Sequence, residues 1–146
     1  MACHASQNVG DSLESAIHLH DGPLKLSAII QKSLPAAELA FLSACQTSTG
    51  DENLPEEAVH LAAGMLAAGY RGVVATMWSI FDKHAPQIAE DFYQNLSIDS
   101  SSEEGARLDV ASAARALHIA TQHLRITLGD SDGALLAWIP YVHYGI

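Results

Sequence analysis

Basic side chains are scarce in this chain. Seven Lys and Arg stand against 17 Asp and Glu, a formal net charge of -10 over 146 residues. That balance argues against a nucleic-acid backbone or an anionic membrane surface as the main partner, because both select for clustered cations. A basic partner is better tolerated. Cysteine is scarcer still: Cys3 and Cys45 are the two in the chain, too few for a disulfide scaffold. No charged segment followed by an apolar run marks a secretion signal, so a reducing, cytoplasmic compartment is expected. Long apolar runs are also lacking; each is interrupted well before the ~20 residues that a spanning helix needs. No glycine-rich phosphate cradle is present, since Gly64, Gly69 and Gly72 suit helix and turn geometry. No internal repeat is visible.

What remains is an apolar-rich sequence, 49% hydrophobic and 16% charged, long enough to bury most of its extended-chain surface in one core. One domain over residues 1–146 is expected. Met1-Ala-Cys-His4 reads as the tail of a buried strand ending at His4, followed by a polar loop over residues 5–11. Residues 15–20 alternate apolar and polar up to Asp21-Gly22, a turn signal, and residues 23–26 complete a hairpin. Ser27 is placed to cap a short helix through about residue 33, which Leu34-Pro35 ends. Residues 38–43 form a continuous apolar run, the pattern of a parallel strand buried on both faces, with Cys45 just beyond it.

Farther along, Pro55-Glu56-Glu57 opens a helix with an acidic first turn; Val59, Ala62, Ala63, Leu66 and Ala67 repeat at helical spacing, and Gly69 closes it. Residues 72–78 read as a second buried strand. Residues 85–96 form a helix with Ile88, Ala89, Phe92 and Leu96 on one side. After an acidic, serine-rich loop over residues 97–105, residues 108–128 make a strong helix that buries Val110, Ala114, Leu117, Ala120 or Thr121, and Leu124. Residues 129–133 read as a linker and residues 135–142 as the last strand. Strand, helix, strand, helix, strand predicts an α/β sheet with helices on its faces.

His4 and Cys45 each sit at the end of an apolar run. Reacting groups in open α/β sheets lie beyond the carboxyl ends of the strands, where His4, Cys45 and the loop after Trp78 converge if those strands are parallel. A thiolate is the reactive form of cysteine, and a neighbouring imidazole can take its proton, so this pair is the minimal unit for acyl transfer. The same residues admit a plainer reading, with Cys45 a buried thiol packed like a small hydrophobe and His4 a polar residue at a strand mouth. Cys3, His4, His18 and His20 match no zinc-binding spacing, so no metal site is expected. His60, His84, His118 and His123 lie on or beside helices, and His118 and His123, five apart, do not face one another.

Five segments in order carry a resemblance over nearly the whole chain: Cys3-His4, Leu42-Ser-Ala-Cys-Gln-Thr47, Ala68-Gly-Tyr-Arg-Gly-Val-Val-Ala-Thr-Met-Trp-Ser-Ile-Phe-Asp82, Asp91-Phe-Tyr93 and Trp138-Ile-Pro-Tyr-Val-His-Tyr-Gly145. They resemble the motif series of the CHAT domain family, caspase-like cysteine peptidases related in fold to caspases and separases. The resemblance implies a caspase-like, mostly parallel sheet with helices on both faces. It also implies His4 as catalytic histidine, Cys45 as nucleophile, and the backbone N–H groups of Ala5 and Cys45 as oxyanion donors. Trp78, Ser79 and Asp82 would fall beside the substrate cleft, Trp78 as cleft wall or core and Asp82 as cleft carboxylate or helix cap.

Cys45 follows His4 by 41 residues, close to the caspase layout, in which the histidine lies about 50 residues upstream. Ala5 stands where the family commonly has glycine. The related fold builds two strands before its histidine strand, whereas three residues precede His4 here, so a partial domain lacking the first strands is expected. An edge left unpaired in this way favours self-association or a partner that completes the sheet. Two functions follow. One is a cysteine endopeptidase cleaving a protein or peptide substrate by Cys/His acyl transfer without a cofactor; the other is a catalytically silent interaction module that keeps the peptidase fold.

Overall fold

The expected hairpin is formed, and it recruits the strand that carries His4. In the computed structural model, which describes residues 4–6, 8, 11–42, 57–78, 80, 83–96 and 109–146, strands β1 (His4–Ser6), β2 (Ala16–Leu19) and β3 (Gly22–Lys25) pair antiparallel in chain order. His4 lies opposite His18, and Ala5 and Ser6 belong to its strand instead of a polar loop; the apolar run expected to end at His4, residues 1–3, lies outside the described residues. The pairing is not legible locally because the partner, β2, is a dozen residues away and the connection is too long for a tight hairpin turn. The approach to β2 is held locally: the Asp11 N–H donates to Asn8 Oδ1 at 3.1 Å and the Leu13 N–H to Asp11 Oδ1 at 3.0 Å. A short 3-10 helix, Ser12–Glu14, follows.

β3 runs directly into helix α1 (Leu26–Gln31). The N-cap is therefore Lys25, without a side-chain cap hydrogen bond, and Ser27 lies inside the first turn rather than at the cap. Leu26 and Ile29, three apart on one face, are buried. The backbone then reaches the second sheet, β4 (Leu39–Leu42), β5 (Gly72–Thr76) and β6 (Tyr141–Gly145), in that spatial order. β4 and β5 are parallel, joined through helix α2 (Glu57–Ala68), whereas β6 returns antiparallel to β5.

The α/β class expected from the sequence holds, with helices on both faces of this sheet. Helix α3 (Ala85–Leu96) and helix α4 (Ala113–Leu128) cover one face, where Ile88, Phe92, Leu96, Leu117, Ala120 and Leu124 pack with Val74 and Tyr141. α1 and α2 cover the other, where Ile29, Ala62, Met65 and Ala68 meet Ala40, Val73 and Ala75. The mostly parallel order does not hold among the described strands. Only β4 with β5 is parallel; β1, β2 and β3 pair antiparallel in chain order, and β6, which follows three helices after β5, returns antiparallel to it. The central strand β5 is buried at all five positions, as expected. β4 is not: Ala40 alone is buried and its neighbours are partly exposed, β4 being the outer strand among the described ones.

Gly69 ends α2 as expected, with φ of +113° that L side chains rarely adopt, and its N–H donates to Leu66 O at 3.0 Å. The helix expected over residues 85–96 has those bounds. In α4 (Ala113–Leu128), Leu117, Ala120, Thr121 and Leu124 are buried as expected, and the difference lies at its start. A 3-10 helix, Val110–Ser112, precedes it, and the buried stripe is Ala113, Ala116, Leu117, Ala120, Thr121 and Leu124, with Ala114 exposed. Alanines on several faces leave the phase weakly marked in sequence.

The largest correction concerns residues 132–138. They form helix α5 (Asp132–Trp138), not a linker and the start of a strand, and β6 begins only at Tyr141. Ser131 Oγ accepts the Ala134 N–H at 3.3 Å, capping the helix, and Asp132 complements its amino end. Ala134 and Ala137 are buried at helical spacing. Pro140 then ends the helix and lends its carbonyl to the Met77 N–H at 2.8 Å.

Candidate active site

The parallel pair β4–β5 places two chain exits at one sheet edge. Leu42 is in register with Ala75; Cys45 lies three residues beyond the first and Trp78 three beyond the second. In parallel sheets that carboxyl edge is where loops from successive strands meet. Cys45 itself, with residues 43–56, lies outside the described residues, as do Ser79 and Asp82. For His4 and Ala5 the backbone is described: both lie on β1, in the antiparallel sheet, opposite His18 and Ile17. β1 and β4 therefore belong to different described sheets, and the described residues do not bring the His4 strand alongside β4.

Trp78 is partly buried and held against α5. Its indole N–H points to the Leu136 carbonyl at 3.4 Å, a long hydrogen bond. With the Met77–Pro140 bond just before it, this fixes the chain leaving β5 against the α5–β6 junction. Ile80 is buried two residues on. Trp78 thus lies between the β5 exit and α5.

The electrostatics around this end are modest. Arg125 near the end of α4 donates to Asp130 Oδ1 at 2.8 Å, and that hydrogen bond and charge hold the Asp130 carboxyl below its ordinary range. The guanidinium also lies 5.4 Å from the Trp138 ring centroid. The Trp138 indole N–H is buried without a hydrogen-bond partner. His143 on β6 is similar: its Nε2 is buried and unpartnered, and burial pushes the imidazole below its ordinary value. The sequence reading did not single out either residue. Nothing in the local pattern of Tyr-Val-His-Tyr distinguishes a histidine facing a covering helix layer from one facing solvent.

Among the described residues, no three His, Cys, Asp or Glu side chains gather as a metal could require. His18 is exposed on β2, and His20 falls in the hairpin turn rather than on the strand with it. No described helix is long and apolar enough to cross a membrane.

A mixed α/β fold, with the chain leaving the parallel neighbours β4 and β5 at one edge, is the setting in which the sequence can be compared with known families. Residues 1–145 match the CHAT domain, and the chain belongs to that family. Membership relates it to caspase-like peptidases. No curated protein matches it in sequence.

Proposed function

We propose that this chain is a caspase-like cysteine endopeptidase domain of the CHAT family acting on a protein or peptide substrate. The observation that supports the reading best is the parallel register of β4 with β5, whose last residues share one sheet edge, with Cys45 three residues beyond Leu42 in sequence and Trp78 three beyond Ala75. In this mechanism Cys45 Sγ, its proton taken by His4, attacks the scissile carbonyl carbon. The backbone N–H groups of Ala5 and Cys45 stabilise the resulting oxyanion. The tetrahedral intermediate collapses, His4 gives the proton to the leaving amine, and a thioester to Cys45 remains. Water, deprotonated by His4, then attacks the thioester and restores the thiol. Trp78, Ser79 and Asp82 line the substrate side, no cofactor takes part, and the free thiol suits a reducing, cytoplasmic setting.

The test is labelling of wild type beside Cys45→Ala with an activity-based thiol probe, combined with digestion of a mixed peptide library, both proteins first shown to be folded by circular dichroism. Wild type is expected to label at Cys45 in preference to Cys3 and to cleave; Cys45→Ala is expected to do neither. His4→Ala should slow labelling by about 10²-fold or more, the usual contribution of a positioned base. A second reading has its own support, the His4 strand lying in the antiparallel sheet rather than beside β4. In that case the chain is an interaction module, and folded wild-type protein will neither label selectively nor cleave.

A further inference from the structure

Strand register brings together two histidines that residue order keeps apart. His4 of β1 is paired directly with His18 of β2, Ala5 with Ile17 and Ser6 with Ala16. Directly opposed residues of an antiparallel pair share one face, with Cβ atoms about 4.5–5.5 Å apart. Imidazoles at that spacing can close on one ion, because nitrogens bound at about 2.0–2.1 Å to a tetrahedral metal lie about 3.3 Å from each other. His18 is exposed, so solvent reaches this face of β2. On its other side His18 is opposed by Pro23 of β3, which offers no donor atom in its side chain. His20 falls in the turn beyond Leu19, the last paired residue of β2, and is not part of the pair. No local spacing signals such a pair, since register alone makes it.

We propose that His4 and His18 form a two-imidazole site for a divalent transition-metal ion of the zinc and nickel kind, with water completing the coordination. The class of ion follows from the donors: neutral imidazole nitrogen suits Zn2+, Cu2+ and Ni2+, whereas Mg2+ and Ca2+ take oxygen ligands. Two protein ligands make an open site, unlike the closed four-ligand site of a structural zinc. An ion held this way fastens β1, a strand of three residues, to the hairpin. It binds the folded chain, where register opposes the two residues, in preference to the unfolded one, and so stabilises the fold. His4 is also the base of the proposed dyad, but binding is read without activity and does not rest on that role.

The experiment is calorimetric titration of the full chain with NiCl2 in a non-coordinating buffer, beside His18→Gln, His4→Gln, the double variant and His118→Gln, each first shown to be folded by circular dichroism. Ni2+ rather than Zn2+ lowers competition from the thiols of Cys3 and Cys45. One saturable step is expected in wild type and in His118→Gln. Either single variant of the pair should weaken it about tenfold or more, equivalent to about 1.4 kcal/mol, and the double variant should lose it. Ni2+ should also raise the melting temperature of wild type more than that of either single variant. His4→Asn or His18→Asn replaces a glutamine variant that does not fold. The proposal is overturned by absence of a saturable step, by wild-type affinity in folded His18→Gln, or by loss of the step in His118→Gln. It is likewise overturned if the step survives His4→Gln intact, since His18 then binds the ion with another partner.

Discussion

A single imidazole carries the clearest pH dependence at the scale of one residue. His143 lies opposite Val74 in the β5–β6 pair, and its Nε2 sits so close over Gly72 that a Cβ there would be 3.0 Å away. Burial favours the neutral ring and lowers its pKa below the ordinary value. The unfolded chain therefore binds the extra proton first as pH falls. Stability from this site is complete above about pH 6.5, the unfolded value, and is lost as pH falls from there through the folded value. Thermal melts between pH 7.5 and 5 should fall more steeply for wild type than for His143→Leu; parallel slopes would remove His143 as the cause. Gly64 offers a second test. A Cβ there would lie 2.6 Å from Leu26 Cγ, so Gly64→Ala exchanges about 1 kcal/mol of helix propensity for overpacking of about 1–3 kcal/mol. A net loss of up to about 2 kcal/mol is expected in urea unfolding, and a gain would mean that Leu26 moves aside freely.

Among the elements, α3 buries three large side chains, Ile88, Phe92 and Leu96, in the core it shares with α4 and the second sheet. Its Phe92 is fully buried, with its ring centroid 4.9 Å from Phe41 of β4 and 5.3 Å from Tyr93. Tyr93, at the outer side of that cluster, keeps its phenol protonated to higher pH than usual because it is partly buried. Phe92→Ala should cost about 3–5 kcal/mol in chemical denaturation, the range for a large aromatic removed from a packed core. A loss below about 1 kcal/mol would show that the cluster contributes little. The same scale shows where local signals worked: turn residues, a glycine after α2 and the apolar period of residues 85–96 each act over a few positions. They failed at α5, where Leu, Ala and Trp suit a strand as well as a helix and the Ser131 cap decides between them.

For the whole molecule, the two sheets differ in how deeply they are buried. β5 is central and covered on both faces, whereas β3 exposes every second residue and β2 exposes His18. Opening should follow that difference. Hydrogen exchange is expected to be slowest at Val73, Val74 and Ala75 and at least about tenfold faster across the hairpin, as sub-global openings favour the less buried unit. Equal protection in both would mean that the sheets open together.

Membership in the CHAT family, the α/β class, the hairpin, the central strand and helix α3 were all legible from residue order, because motifs, turns and apolar period are properties of near neighbours. The candidate dyad was legible as residue types, Cys45 after one apolar run and His4 after another. Strand partnership was not. That β1 joins the hairpin and that β6 runs antiparallel to β5 depend on contacts between segments from about ten to about seventy residues apart. Burial of His143 depends on them too, because a side chain loses its water only when another element covers it, and no local pattern specifies which element that will be.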